Sequence, residues 1–406
     1  MTRDDPPGIV IAGGGVAALE AALALREIAE RRLGIVLLTA GPHFEYGPLS
    51  VAEPFDLGRA HRFRLSELLD GRGVEINLGI LEAVDGARRE ALTADGLRIP
   101  YSALLVAVGA RKHNALPGAI TFSGADATGE IRRLLQDVAA GKVERLVFAV
   151  PPGVTWSLPL YELALMTSAH FAEHSIPAKV AVVTPESRPV QVFGNRASDA
   201  VEEMLRARGI EFHSSIPAHA EADRLVVEHG EAIPADTVVA LPRLDAPRIK
   251  GLPGDERGFV PVDEHGRVQG LPGVYAAGDV TSFPLKQGGL AAQQADAAAE
   301  AIVADLGQDL HPQPFRPVLR GLLLTGRAPR YLRAEVMHGR ATRSSAESEA
   351  IWWPPAKIAG RRLGPLLALH GAPGGAPPGA VALELDVEAD ESGSWEAAEN
   401  EPSGDR

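Results

Sequence analysis

Ile9-Val10-Ile11-Ala12-Gly13-Gly14-Gly15-Val16-Ala17-Ala18 is the stretch whose reading decides the fold. Its four leading apolar residues read as a short buried strand. The run from Ala17 to Arg31, rich in Ala and Leu at helical spacing, reads as a helix. Between them lies Gly13-x-Gly15-x-x-Ala18. In such a turn the first glycine permits the sharp reversal, the second lets backbone approach a pyrophosphate, and a small third residue lets helix and strand pack closely. The helix N-terminus then favours the anion, and Val16 and Ala17 in its first turn belong to the same candidate site. Gly34 stops the helix and Ile35–Thr39 is the next buried strand, so the chain opens with a βαβ unit. The pattern also occurs as a plain glycine turn in other α/β proteins; its place in a βαβ unit favours the dinucleotide.

Working outward, the same plan appears twice. Val74–Leu78 reads as a strand, Glu90–Thr93 and Leu97–Pro100 as a hairpin around Ala94-Asp95-Gly96, and Ala103–Val108 as an apolar strand ending at Gly109. A second set follows: strand Arg145–Val150, helix Leu158–His174, strand Lys179–Thr184, helix Ser198–Arg208 and strand Ile210–His213. A hairpin around His229-Gly230 and the apolar Thr237–Ala240 complete it. A long Ala/Gln-rich helix spans Gly288–Leu306. The expected fold is α/β: two Rossmann-like units of dinucleotide-binding type, βαβ with a hairpin insertion, plus a small C-terminal region. The expected division is 1–115 and 256–306 for one dinucleotide-binding domain, 116–255 for the second, 307–370 for the C-terminal region, and 371–406 for a Gly/Pro linker and an acidic, disordered tail.

Bulk composition narrows the class. With 406 residues there is room for two or three well-buried cores. From Glu384 onward nine acids stand against Arg406 alone, so −8 of the formal −13 belongs to the tail. No basic arm or stripe suggests nucleic acid. The chain has no cysteine, which excludes disulfides, thiolate metal sites and cysteine redox chemistry. His43, His61, His113, His170, His213 and His311 show no metal-ligand spacing, so no metal is expected. No signal peptide is read at Met1–Gly8 and no apolar run is long enough to span a bilayer. A cytoplasmic protein is the default.

Tyr101-Ser102-Ala103-Leu104-Leu105-Val106-Ala107-Val108-Gly109-Ala110 resembles the second FAD motif of two-dinucleotide-binding-domain flavoproteins. Val274-Tyr275-Ala276-Ala277-Gly278-Asp279 resembles their third. Their order and spacing are similar to the pyridine nucleotide–disulfide oxidoreductase superfamily over residues 8–306. The resemblance implies that FAD is the cofactor, that Asp279 hydrogen-bonds its ribitol, and that the helix after Gly288 points its N-terminus at the flavin pyrimidine. Reduced flavin carries negative charge there, which a helix dipole favours. The alternative for Asp279 is a helix N-cap. The residues so implied are Gly13, Gly15, Val16, Ala17, Ala18, Thr39, Pro48, Leu81, Val108, Gly109, Ala110, Gly278, Asp279, Lys286, Gln287 and Gly288. At the adenosine ribose an Asp or Glu is usual, and here the strand ends Thr39-Ala40-Gly41.

Within the superfamily, Phe44-Glu45-Tyr46-Gly47-Pro48-Leu49, Val183-Thr184-Pro185-Glu186 with Phe193-Gly194, and Lys286-Gln287-Gly288-Gly289 resemble the branch of sulfide:quinone oxidoreductases and type II NADH dehydrogenases. Lys286 reads either as a flavin neighbour and candidate catalytic group or as a solvated lysine. Two departures matter more. Without cysteine, the sulfide chemistry of that branch is excluded. The second half offers Val150-Pro151-Pro152-Gly153-Val154-Thr155-Trp156-Ser157-Leu158 instead of a glycine fingerprint. Proline removes an N–H donor and Trp is too large for a pyrophosphate turn, so NAD(P)H binding is not expected, although Glu186 stands where a ribose-binding acid would. Glu162, on the next helix, faces the flavin or lies on the surface. Trp352-Trp353-Pro354-Pro355 with Lys357, Arg361 and Arg362 suits either a membrane and quinone surface or, preferred, a strap over the FAD domain or a dimer contact. Gly360, Gly364 and Pro365 argue against a helix there.

The expected function is an FAD-dependent oxidoreductase that passes electrons from an unidentified small-molecule donor to an acceptor, a quinone by resemblance. Peripheral contact with the inner face of the membrane and a homodimer are left open. The alternatives are an NAD(P)H-dependent reductase of quinones or an electron carrier, and a catalytically silent flavin-binding interaction protein.

Overall fold

In a computed structural model of the chain, residues 8–29, 33–215, 218–221, 224–227, 232–337 and 340–371 are described. The tail and most of the expected linker lie outside them, as does the tip of the second hairpin. The first apolar runs form one parallel sheet. Ile9–Ala12 lies between Ile35–Thr39 and Ala103–Val106, with Val74–Leu78 outside the former and Val274–Ala276 outside the latter. Strands buried on both faces carry no alternation, which is why Ile9–Ala12 and Ala103–Val106 are apolar throughout. The last strand enters from far along the sequence, so this sheet is built from two separated pieces of chain.

The second sheet has the same order. Arg145–Ala149 lies between Lys179–Val183 and Thr237–Ala240, with Glu211–His213 and the short Ile120–Thr121 at the edges, all parallel. The hairpins add small antiparallel sheets, one of them Leu81–Asp85, Glu90–Thr93 and Arg98–Pro100.

The first helix, Val16–Ile28, packs against Gly288–Asp305 through small side chains. Ala17, Ala18, Ala21, Ala291, Ala295, Ala298 and Ala299 share one core. Methyl-sized residues let two helix axes approach closely, and this contact ties the N-terminal βαβ unit to the strand–helix pair after residue 274.

Three elements differ from the sequence expectations. An amphipathic helix covers Thr128–Ala139, burying Ile131, Leu134, Leu135 and Val138. The C-terminal region holds an antiparallel sheet of Val318–Leu323, Arg330–Met337 and Arg340–Glu347. Leu363–Leu369 is a helix despite Gly364 and Pro365. Proline is tolerated in a first turn, where its missing N–H has no intrahelical partner. The Glu20 carboxylate, fully buried on the first helix, accepts from the Arg362 and Leu363 N–H groups at 2.7 and 2.9 Å and so caps that turn. Among the described residues no helix is long and apolar enough to cross a membrane.

Candidate functional site

The first glycine turn has the geometry its sequence requires. Gly13 has φ +138°, and a Cβ there would sit 2.1 Å from the Ala107 carbonyl oxygen, so only glycine fits. A Cβ on Gly15 would meet nothing within 4 Å. The first helix starts at that open space with no side-chain cap and no acid in its first turn. Its leading N–H groups and dipole are therefore offered to an anion. Gly13→Ala should lower stability by at least about 2 kcal/mol through strain and overlap. Gly15→Ala should leave stability unchanged and weaken cofactor binding. Urea denaturation with cofactor titration separates the two, and equal behaviour would contradict this division of roles.

At the same carboxyl end of the first sheet, beyond Val274–Ala276, a cleft of about 430 Å³ lies against Pro48, Asp279 and Lys286. No side chain or backbone group among the described residues donates a hydrogen bond to the Asp279 carboxylate. Burial holds its pKa above the ordinary carboxylate range, with Lys286 and Lys112 as the nearby opposing charges. Lys286 is half-buried, not a solvated lysine. Its Nζ lies 3.9 Å from the centroid of the Phe259 ring and donates to the Thr281 carbonyl. Burial pulls its pKa down to about 8, so its charge changes just above neutral pH. The N-cap reading of Asp279 does not hold. Gln287 caps the long helix, its Oε1 accepting from the Leu290 N–H at 2.8 Å. Gly278 N–H donates to the buried Gln294 Oε1 at 2.7 Å, fixing the turn that presents Asp279.

The opposite wall of the cleft is the second-half turn. Gly153, Val154, Thr155 and Trp156 line it, and Thr155 Oγ1 donates to the Pro284 carbonyl at 2.6 Å, across to the loop that follows Asp279. Glu186 is committed elsewhere. It accepts from Ser157 Oγ at 3.0 Å, Tyr161 OH at 2.7 Å, Thr184 Oγ1 at 3.1 Å and the Gln191 N–H at 3.1 Å. Four internal donors leave little of a carboxylate for a ribose.

Residues 7–301 match the family described as Pyridine nucleotide-disulphide oxidoreductase. The chain belongs to that family. It is similar to Apoptosis-inducing factor 3 of Mus musculus, 28% identical over 296 residues, 68% of this chain and 46% of that protein. It thus spans about half the length of that relative. It is also similar to the Sulfide-quinone reductase of Aquifex aeolicus (strain VF5), 25% identical over 351 residues, 78% of this chain and 80% of that protein. Among solved structures, the sulfide:quinone oxidoreductase from Aquifex aeolicus has the same fold, with a TM-score of 0.76 at 21% identity, covering 84% of this chain and 87% of that one. The family is one of oxidoreductases that use FAD. The disulphide of the family's description has no counterpart here, because the chain has no cysteine.

The residues of this family member fit FAD. The uncapped helix start beyond Gly15 suits a pyrophosphate, and the unpartnered Asp279 suits a polyol chain. Both belong to elements of one sheet, at the carboxyl ends of Ile9–Ala12 and Val274–Ala276. Bound there, FAD supplies two-electron transfer. The protein would bind and orient it, and Lys286 would bring a positive charge below about pH 8.

The other implied residues divide. Val108, Gly109 and Ala110 follow the Ala103–Val106 strand, with Gly109 at φ +72°. Gly288 packs against Ile358 of the C-terminal segment. Thr39 is buried, and its hydroxyl donates to the Gly41 carbonyl at 3.1 Å. Leu81 puts its side chain in the core with Val10 and Val106 and lines no part of the cleft. Lys112, Arg257, Phe259 and Phe283 line the cleft without belonging to any motif read from the sequence.

Glu162 neither faces the cleft nor lies on the surface. It is fully buried, and both of its oxygens accept from Lys357 Nζ at 2.6 Å, while Oε1 also accepts from the Leu324 N–H at 2.8 Å. Burial raises its pKa and the Lys357 ammonium opposes that rise. Arg362 donates to Glu27 and Asp296, each at 2.6 Å, and Ile358 is buried beside Tyr46. The segment from Ala356 to Leu369 is therefore a strap across the FAD-side helices, as preferred from the sequence. Burial and the neighbouring Glu20 raise the Asp296 pKa to about 7.

Proposed function

We propose that this family member is an FAD-dependent oxidoreductase that takes electrons from a small-molecule donor other than NAD(P)H and delivers them to a quinone. In this reading Gly13, Gly15, Val16, Ala17 and Ala18 hold the pyrophosphate, Asp279 holds the ribitol, and Pro48, Lys286, Gln287 and Gly288 border the flavin. Residues 1–115 and 256–306 make one domain and 116–255 the other. A quinone acceptor implies peripheral contact with a membrane.

The observation that carries the reading is the asymmetry of the two halves around one cleft. On one side stands Asp279, a carboxylate with no internal donor. On the other stand Gly153 to Trp156 of the proline-bearing turn, and Glu186, bonded to Ser157 just after that turn, has its oxygens already engaged. Similarity to a sulfide-quinone reductase supports a quinone as acceptor.

The test is anaerobic. NADH and NADPH should fail to bleach the flavin of the purified protein over minutes, and photoreduced protein should be reoxidised by a soluble naphthoquinone. Bleaching by either nucleotide within seconds would establish the second half as a working nucleotide site. Persistence of the reduced spectrum after quinone addition would remove the acceptor assignment.

A further inference from the structure

We infer that Trp156 is the specificity-determining wall of the cleft: it closes the path a nicotinamide dinucleotide needs and provides the face against which a planar quinoid ring stacks. This deepens the reading above and rests on it, since the ring must lie within reach of the flavin.

Four observations carry the inference. Trp156 lies at the carboxyl end of the central strand of the second sheet, where open α/β sheets bind ligands, and it lines the cleft shared with Asp279 and Lys286. Its indole is backed by Phe193, with ring centroids 5.6 Å apart at 54°. Phe193 is itself fully buried and immobilised. A Cβ on Gly321 would come within 2.5 Å of its ring, and its carbonyl accepts from Ser344 Oγ. Phe193 therefore fills the space behind the indole. The Thr155–Pro284 hydrogen bond ties the same turn across the cleft and fixes the gap in front of the indole.

The cleft has apolar walls at Val154, Pro159, Leu241, Pro242 and Phe283, with three cationic groups, Lys112, Arg257 and Lys286, against two carboxylates, Asp255 and Asp279. Apolar walls with an aromatic face favour a flat ring, which prefers offset stacking or an edge-to-face arrangement. The cations favour a ring oxygen that gains negative charge when the ring is reduced. A dinucleotide asks for the opposite: a small-residue turn, free backbone N–H groups and a free ribose acceptor. The turn leading to Trp156 carries Pro151 and Pro152 instead, and Glu186, which does not line the cleft, is already engaged by Ser157 and Tyr161.

The probe is menadione, a soluble naphthoquinone, added to oxidised FAD-loaded protein without any electron donor. It should quench part of the tryptophan emission saturably in the wild type. Trp156→Phe should lose that quench yet bind menadione within about threefold by calorimetry, because it keeps an aromatic face. Trp156→Ala should bind on the order of tenfold more weakly, and all three proteins should carry the same FAD content. Unchanged menadione affinity in Trp156→Ala, or no saturable binding to FAD-loaded wild type, would overturn the inference and leave the flavoenzyme reading standing. Wild-type protein that takes up no FAD would instead overturn that reading.

Discussion

Lys357→Met should destabilise the protein by about 3–5 kcal/mol at neutral pH, because it strands a buried carboxylate without its counter-charge. Glu162 is wholly shielded and Lys357 nearly so, with side-chain exposures of 0% and 8%. Their pair joins the helix behind the second-half turn to the C-terminal strap. The sign with pH follows from burial. The folded-state pKa of Glu162 lies above its unfolded value, and removing Lys357 raises it further. A group with a raised folded pKa is better tolerated below that pKa, so the deficit should shrink as pH falls. Adding Glu162→Gln to Lys357→Met should recover most of the loss, since the amide keeps an acceptor for the Leu324 N–H and carries no charge. Urea midpoints across pH read all three results. A deficit independent of pH would mean that Lys357 stabilises by packing alone.

Asp279→Ala should cost on the order of ten- to a hundred-fold in FAD affinity, the worth of one or two charge-assisted hydrogen bonds. Without cofactor the same change should raise the melting temperature. The carboxylate is held at a burial cost that no internal donor offsets, and removing it relieves that cost. Asp279→Asn should fall between, keeping an acceptor for hydroxyl groups and losing the charge. Calorimetric titration with FAD and melting of cofactor-free protein measure the two effects. A helix cap in this position would show the reverse, a less stable protein with unaltered FAD binding.

Much of the fold was legible because the parallel strands are short, apolar and bounded by glycine, and both halves repeat one plan. The cofactor turn was legible because Gly13 is dictated by a backbone approach that leaves its mark in sequence. What escaped was set by distant partners. Glu20 is a carboxylate in an Ala/Leu-rich helix, yet it caps a turn 342 positions away. Glu162 meets its lysine across 195 positions. Neither pairing has a local signature. The sheet at Val318–Glu347 had one: Leu332, Ala334 and Val336 point inward between Arg333 and Glu335. The density of arginine in that region obscured the alternation. Lys112 reaches the cleft from the short strand Arg111–His113, and Arg257 and Phe283 reach it from loops, segments whose course depends on the packed halves.

The central claim is that the two glycine-bearing segments of the first sheet hold FAD. It is tested most directly by the visible spectrum of the purified protein, with the released chromophore identified and counted. The account predicts the absorption of oxidised flavin and one FAD per chain. A colourless protein that takes up no added FAD would contradict it.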